Sequence, residues 1–295
     1  MRNNTIKKRD EKIAAYIFIA PAVILLFLFL ILPVFSTIRY AFTDYNILRP
    51  DRIKFCGMRN FTDLLKDTDF IKSVWNTFYF TLVVVPFQCL LALILALFTY
   101  KKRPGVSVFR AAYFSPMVTS MVVIAILWSV LYNPDPNTGL INAFLVKIGI
   151  HPIGFLNDPK TAMNSIIFMS AWQAAGYQMM IFLAGLQAIP SEQYEASSID
   201  GAGKVIQLFY ITIPGLKNVI KYVVMITMIQ AMRLFTQPYV MTQGGPQNST
   251  RTLVYYFYEQ GFQNRDFGYA CSAAVIFLAI VIAMSLLLKR VIKAD

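Results

Sequence analysis

The sequence predicts an all-α polytopic membrane protein with six transmembrane helices. Of its 295 residues, 57% are hydrophobic and 14% are charged, and the mean hydropathy is +0.55. Soluble domains carry roughly a quarter charged residues, so this composition argues against a soluble enzyme. The charges also cluster between uncharged runs, each of which exceeds the roughly 18 residues that a spanning helix needs.

Uncharged runs define five of the six expected spans. They cover Ile13–Ile38, Asn76–Tyr100, Ala111–Pro134, Thr161–Ser191 and Phe267–Leu288. The stretch from Tyr222 to Gln243 contains Arg233, but its strongly apolar side makes it the sixth expected span. Val205–Leu216 is too short to cross and is interpreted as an interfacial segment. The first run is too long for a signal peptide and lacks a small-residue cleavage site, so we expect it to remain as a membrane helix.

The distribution of Lys and Arg predicts the orientation. With six spans both termini share one side, which carries 15 basic residues in 63, against 11 in 94 on the other side. Because basic residues favour the cytoplasmic side, we expect both termini in the cytoplasm and the chain in the plasma membrane. The expected organisation is a cytoplasmic tail 1–12, a first helix 13–38, an extracellular loop 36–74 and a five-helix core 76–289 that contains a cytoplasmic loop 188–216.

Charge, cysteine and histidine content argue against several functions. The net charge of +12 is concentrated at helix ends, as in any oriented membrane protein, so we expect no nucleic-acid binding. Cys56, Cys89 and Cys271 lie far apart and give neither a disulfide framework nor a metal spacing. The single histidine, His151, precedes Pro152 and is interpreted as a surface turn residue. We expect neither a metal site nor catalytic residues in this chain.

The cytoplasmic loop from Ala188 to Lys221 contains a predicted short helix. Pro190 ends the preceding helix, Ser191 is a suitable N-cap, and Glu192 lies in the first turn of the new helix. Gly201 is a natural residue to follow the helix end. This pattern predicts two to three helical turns outside the membrane with Tyr194 and Ile199 as apolar anchors. A surface helix that merely closes a loop is the alternative.

The spacing within this loop resembles the EAA signature of ABC importer permeases. Glu195-Ala196-Ser197 is followed after three residues by Gly201, and after nine more by Ile211-x-Ile213-Pro214. Ser197 replaces an Ala of the signature and Ile213 replaces a Leu. Other stretches extend the resemblance to the carbohydrate-uptake branch, of the maltose or glycerophosphate type, nearly end to end: Ala41–Tyr45, Gly57–Phe61, Asp200–Gly203, Thr242–Pro246 and Asp266–Ala270.

The resemblance implies a transporter subunit that depends on other chains. It implies a second homologous permease, two copies of an ABC ATPase, an extracellular solute-binding protein and a sugar, with an oligosaccharide expected, as the transported solute. ATP and magnesium would bind the ATPase, since Gly201-Ala202-Gly203-Lys204 lacks the first Gly and the Ser or Thr of a Walker motif. No cofactor is expected in this chain.

The resemblance also implies a role for each residue of the loop. Glu195 would bind the ATPase through charged hydrogen bonds, while Ala196 and Ser197 would allow close approach. Gly201 would turn the chain at the helix end. Asp200 is either a solvated carboxylate or part of the docking or capping surface, Tyr194 is an anchor, and Pro214 would set the angle of re-entry into the membrane.

Polar residues within the spans are candidates for the substrate pathway, because such residues are costly unless they face a cavity or a partner helix. For a sugar, amide and guanidinium groups would bind hydroxyls and aromatic rings would pack against the C–H face. Interhelical bonding is the alternative for each residue. Arg233 is expected near mid-bilayer, where it would gate the pathway or bind an acidic sugar. The candidates are Trp172, Gln173, Tyr177, Gln230, Arg233 and Gln237.

Three alternative functions remain to be compared with the sugar importer. An importer for another solute, such as a glycerophosphate, would share every feature above. A stand-alone carrier would need acidic or histidine relays in its spans, and the six expected spans contain no Asp, Glu or His. A membrane enzyme would need a nucleophile with a base, or clustered metal ligands, and the sequence offers neither.

Overall fold

A computed structural model describes residues 2–101 and 104–293, and within these residues the chain is helical apart from loops and two isolated β-bridges. Turns of π-helix occur at Phe27–Ile31, Leu208–Thr212 and Glu259–Gln263. In chain order the α-helices are α1 (Arg2–Leu26), α2 (Leu32–Ala41), α3 (Arg59–Leu64), α4 (Thr68–Thr99), α5 (Val106–Val118), α6 (Met121–Leu131), α7 (Leu140–Lys147), α8 (Ala162–Gln187), α9 (Ser191–Ile199), α10 (Lys204–Gln207), α11 (Ile213–Gly215), α12 (Lys217–Met232), α13 (Thr236–Met241), α14 (Leu253–Tyr258) and α15 (Phe267–Lys293).

Among the described residues, four helices are long and apolar enough to cross a membrane. Two further spans result if each of two bent helix pairs crosses once, which gives the six that the sequence predicts. The pair α5 and α6 bends by 102°, and the segment Lys204–Gly215 bends by 66° against α12. The four long spans are Ala14–Ala41, Thr68–Thr99, Ala162–Gln187 and Phe267–Leu288.

The segment from Tyr222 to Gln243, which is the fifth expected span in chain order, is not one continuous helix. Helix α12 begins at Lys217 and ends at Met232, and α13 begins at Thr236. Pro238 has no N–H to donate to the carbonyl of Leu234, so the helix cannot continue through this turn without losing a hydrogen bond. The hydroxyl of Thr252 donates to that carbonyl instead, at 2.7 Å. Arg233 therefore caps a helix end rather than lying inside a helix.

The third expected span, Ala111–Pro134, is also not one straight helix. Helix α5 ends at Val118, Thr119 is extended with ψ of 145°, and α6 restarts at Met121. Val205–Leu216, interpreted from its length as interfacial, consists of α10, a π-helical turn and α11, which lead directly into α12.

Contacts divide the chain into two compact units. The first unit runs up to Leu65 and includes Phe257–Phe277. Within α1 and α2, Ala14–Ala41 forms an apolar span whose side chains are mostly exposed. The loop after α2 is fixed by Asn60, whose amide donates to the carbonyls of Ala41 and Thr43 at 3.0 and 2.9 Å.

The second unit, Lys66–Tyr256 with Leu278 onward, contains the helices that position the site. Its core is formed where α4, α8 and α12 pack together through buried side chains such as Phe182, Met179 and Val223. Gly176 lets α5 approach α8 closely, since a Cβ there would lie 1.9 Å from the carbonyl oxygen of Tyr113. Small residues at such contacts are typical of packing between membrane helices.

Candidate functional site: a coupling helix and an intramembrane cavity

Helix α9 is a short, exposed helix with a well-defined end. It begins at Ser191 after Pro190, so Ser191 is the first helical residue and not the N-cap that the sequence suggested. The N–H of Ala202 donates to the carbonyl of Ser197, and the N–H of Gly201 donates to that of Ser198. This is a Schellman motif, which needs a left-handed residue, and Gly201 has φ of +80°.

The two sides of α9 differ in exposure. Glu195, Ala196 and Asp200 are exposed, whereas Tyr194 and Ser197 are half-buried against the rest of the unit. Ile199, expected to be an apolar anchor, is 88% exposed and anchors nothing within the chain. The helix therefore presents a short surface that combines a carboxylate, a small residue and an apolar side chain. Pro214 is exposed in α11, close to the bend that leads into α12.

A cavity of about 450 Å³ lies among α4, α8, α12 and α13, with α5 and α6 each contributing one lining residue. Four of the six predicted pathway residues line it, namely Gln173, Gln230, Arg233 and Gln237. The other two do not. Trp172 packs against Trp128 with ring centroids 5.3 Å apart, and Tyr177 is not among the lining residues.

The polar lining groups are held by the surrounding helices. The amide of Gln173 donates to the carbonyl of Pro116 at 3.3 Å, and that of Gln237 donates to the hydroxyl of Ser170 at 3.4 Å. Arg233 is exposed towards the cavity, and within the described part of the chain it forms no ion pair. The cavity thus combines amides, hydroxyls and one cation.

Sequence reasoning missed several lining residues. Gln88 lines the cavity together with Phe80 and Val84, and none of the three is among the candidates predicted from the sequence. These three residues are spaced by four along α4 and therefore share one helical face, a pattern that was available in the sequence. Phe235 lies in the break between α12 and α13, for which Pro238 was the available local signal. Further lining residues are Met117, Thr119, Met121, Ala174, Thr227, Ala231, Leu234 and Thr236.

Comparison with known proteins decides the family. The model of the family described as "Binding-protein-dependent transport system inner membrane component" matches residues 68–294. The chain belongs to this family. It is a permease subunit of an ABC transporter, and ATP hydrolysis belongs to a separate subunit. The fold class, the family and the absence of an enzymatic role predicted from the sequence are confirmed.

Relatives resemble the permease over nearly their whole length. It is 34% identical to the arabinooligosaccharides transport system permease protein AraP of Bacillus subtilis, covering 94% of this chain and 88% of that one. It is 34% identical to the lactose transport system permease protein LacF of Rhizobium radiobacter, covering 95% and 94%. A bacterial ABC transporter involved in the import of the acidic polysaccharide alginate has the same fold, with a TM-score of 0.85, 21% identity and 99% coverage of both chains.

Proposed function

We propose that this permease forms half of the pathway of an ATP-driven importer for an oligosaccharide or a related sugar. The names of AraP and LacF specify an arabinooligosaccharide and a lactose system, which supports a sugar as the solute here. The chemistry of the cavity supports it as well, because amides and hydroxyls suit sugar hydroxyl groups. Gln173, Gln230, Arg233 and Gln237 would bind the hydroxyls as the solute passes.

The aromatic partners of the sugar differ from those expected from the sequence. Phe80 and Phe235 line the cavity and offer the apolar surfaces on which a sugar C–H face packs. They take the role first assigned to Trp172 and Tyr177. Arg233 also suits the phosphate of a glycerophosphate, since guanidinium groups bind phosphate in a bidentate manner, so this solute is the second candidate.

The partners of the permease follow from the exposed helix α9. A short helix that presents Glu195, Ala196 and Ile199 to solvent has the size and the surface to dock in a cleft of an ABC ATPase. This exposure is the observation that carries the proposal. Glu195 would accept charged hydrogen bonds, Ala196 would permit close approach, and Asp200 would contribute to the docking surface. Ser197, expected from the sequence to permit close approach as well, is half-buried on the inner side of α9.

The rest of the assembly is proposed from the same family relationship. A second homologous permease would complete the pathway, two ATPase copies would bind ATP with magnesium, and an extracellular solute-binding protein would deliver the solute. Because α9 would meet the ATPase in the cytoplasm, both termini would be cytoplasmic. Pro214 would set the angle between the docking region and α12.

Deletion of Glu195–Gly201 tests this function in the complete transporter. The shortened permease should insert into the membrane and pair with the second permease, but it should lose the ATPase on affinity purification. A control deletion in the largely exposed loop Asp135–Thr138, on the other side of the expected membrane, should retain the ATPase. Retention of the ATPase and of sugar uptake by the Glu195–Gly201 deletion would show that the docking assignment is wrong.

A further inference from the structure

The side chain of Gln207 connects α9 to the segment that follows it. Its amide nitrogen lies 3.0 Å from the hydroxyl oxygen of Ser197, 2.9 Å from that of Ser198 and 3.3 Å from the carbonyl oxygen of Tyr194. Both serine hydroxyls donate to the same Tyr194 carbonyl, at 2.9 and 2.7 Å. One amide group therefore lies within hydrogen-bond distance of three oxygen atoms on successive turns of α9.

A second contact links the same two elements. The hydroxyl groups of Tyr194 and Thr212 lie 2.9 Å apart, and the Thr212 hydroxyl donates to the carbonyl of Gln207 at 3.2 Å. If Thr212 donates its proton to that carbonyl, Tyr194 must be the donor in the pair. Thr212 is buried, while Tyr194 and Gln207 are half-buried. We call these two contacts the Gln207 clamp.

The clamped segment leads directly to the cavity. It bends by 66° into α12, and at the bend Gly215 packs so closely on Ile189 that a Cβ would lie 2.9 Å from the Ile189 side chain. Leu216 is fully buried there. Helix α12 has 16 residues, or about 24 Å at 1.5 Å per residue. Its far end carries Gln230 and Arg233 on the cavity wall.

Without the clamp, α9 would be joined to this segment mainly through the turn that ends the helix. The connection from Asp200 to Gly203 contains two glycines, and Gly201 has no atom within 4 Å of where its Cβ would lie. Such a turn absorbs displacement, because glycine has a wide range of accessible backbone angles. A packed, hydrogen-bonded contact transmits displacement as a unit.

We propose that Gln207 is a positioning residue that makes α9 and the bent helix move together, so that ATPase movement reaches the cavity. This inference rests on the proposed docking of α9. Gln207 itself would contact neither ATP nor the solute. Its loss would leave docking intact and would uncouple the cavity from the nucleotide state of the ATPase.

The test uses the complete transporter in nanodiscs, with the three cysteines Cys56, Cys89 and Cys271 replaced by alanine and a new cysteine at Thr236 in the cavity. The rate of labelling by a soluble maleimide is measured with and without ATP and vanadate, together with ATPase content and ATP hydrolysis. No transported solute is needed. Gln207→Leu is compared with Gln187→Leu, which removes the same amide from an exposed position at the end of α8.

The parent and Gln187→Leu should show a clear change in labelling between the two nucleotide states. Gln207→Leu should reduce that change by about five-fold, the factor to which the net energy of one hydrogen bond corresponds, while the ATPase stays bound and hydrolyses ATP. Thr212→Val, which removes the second contact, should act in the same direction.

Two outcomes would overturn the inference. An unchanged labelling difference in Gln207→Leu would show that the amide transmits nothing. A loss of bound ATPase in Gln207→Leu would mean that the amide only maintains α9. Failure of the proposed function is distinguished from both, since the parent would then lack bound ATPase or any nucleotide-dependent labelling.

Discussion

Replacement of Gly176 by alanine should separate two helices that line the cavity. A Cβ at this position would lie 1.9 Å from the carbonyl oxygen of Tyr113, 2.6 Å from its carbonyl carbon and 3.0 Å from the Cα of Phe114. All three atoms belong to the backbone of α5, so no side-chain rotation relieves the overlap. Helix α5 itself must move.

The size of the effect follows from these distances. An ordinary carbon contact is about 3.5 Å, so α5 must retreat from α8 by about 1.5 Å at this point. Overpacking in a well-packed interior costs about 1 to 3 kcal/mol, and a backbone clash lies at the upper end of that range. Met117 follows on α5 and lines the cavity, so the retreat also changes the shape of the cavity.

Thermal unfolding of the purified transporter measures this cost. Gly176→Ala should lower Tm by several degrees and reduce solute uptake. Gly154→Ala is the matched control, because a Cβ there meets its nearest atom at 3.7 Å, an ordinary contact. Equal Tm values for the two variants would refute the close approach of α5 and α8 on which the geometry of the cavity depends.

Two further substitutions test other parts of the structure. Gly201→Val forces a β-branched residue to φ of +80°, at a cost of about 1 to 2 kcal/mol, so the amount of ATPase retained on purification should fall several-fold. Gly203→Val, at ordinary φ and in open space, should retain the ATPase. Equal retention by the two variants would contradict the role of the Schellman motif at the end of α9. Asp69→Ala removes the carboxylate that accepts from Arg251 at 2.7 Å and should lower the free energy of unfolding by about 2 kcal/mol, as measured by chemical denaturation; an unchanged midpoint would contradict this.

The sequence predicts the straight helices well and the bent ones poorly. Uncharged runs such as Thr161–Ser191 locate a span because the bilayer penalises charge whatever the tertiary structure. Hydropathy does not report the direction of the helix axis, so it gives no sign that the helix breaks at Arg233. That break depends on Pro238 and on the hydroxyl of Thr252, which is distant in sequence and replaces the missing donor.

Parts of the candidate site that are built from neighbouring residues can be predicted from the sequence, whereas parts built from distant residues cannot. The end of α9 is predictable because Gly201 and the preceding turn form a motif within a few residues. The Gln207 clamp joins residues that are 9 to 18 positions apart, and the cavity is lined by residues from six helices. Amides were predicted to line it because they are costly in lipid, whereas Phe80 and Phe235 resemble any other apolar residue of a membrane helix.

Docking of α9 on the ATPase is the central claim, and site-specific photocrosslinking tests it most directly. A photoreactive residue is placed at Ala196 of α9 in the complete transporter and irradiated with ATP and vanadate bound, with the exposed Ile282 of α15 as the control position. The account predicts a covalent product with the ATPase from position 196 and none from position 282. Capture of lipid alone from position 196 would contradict it.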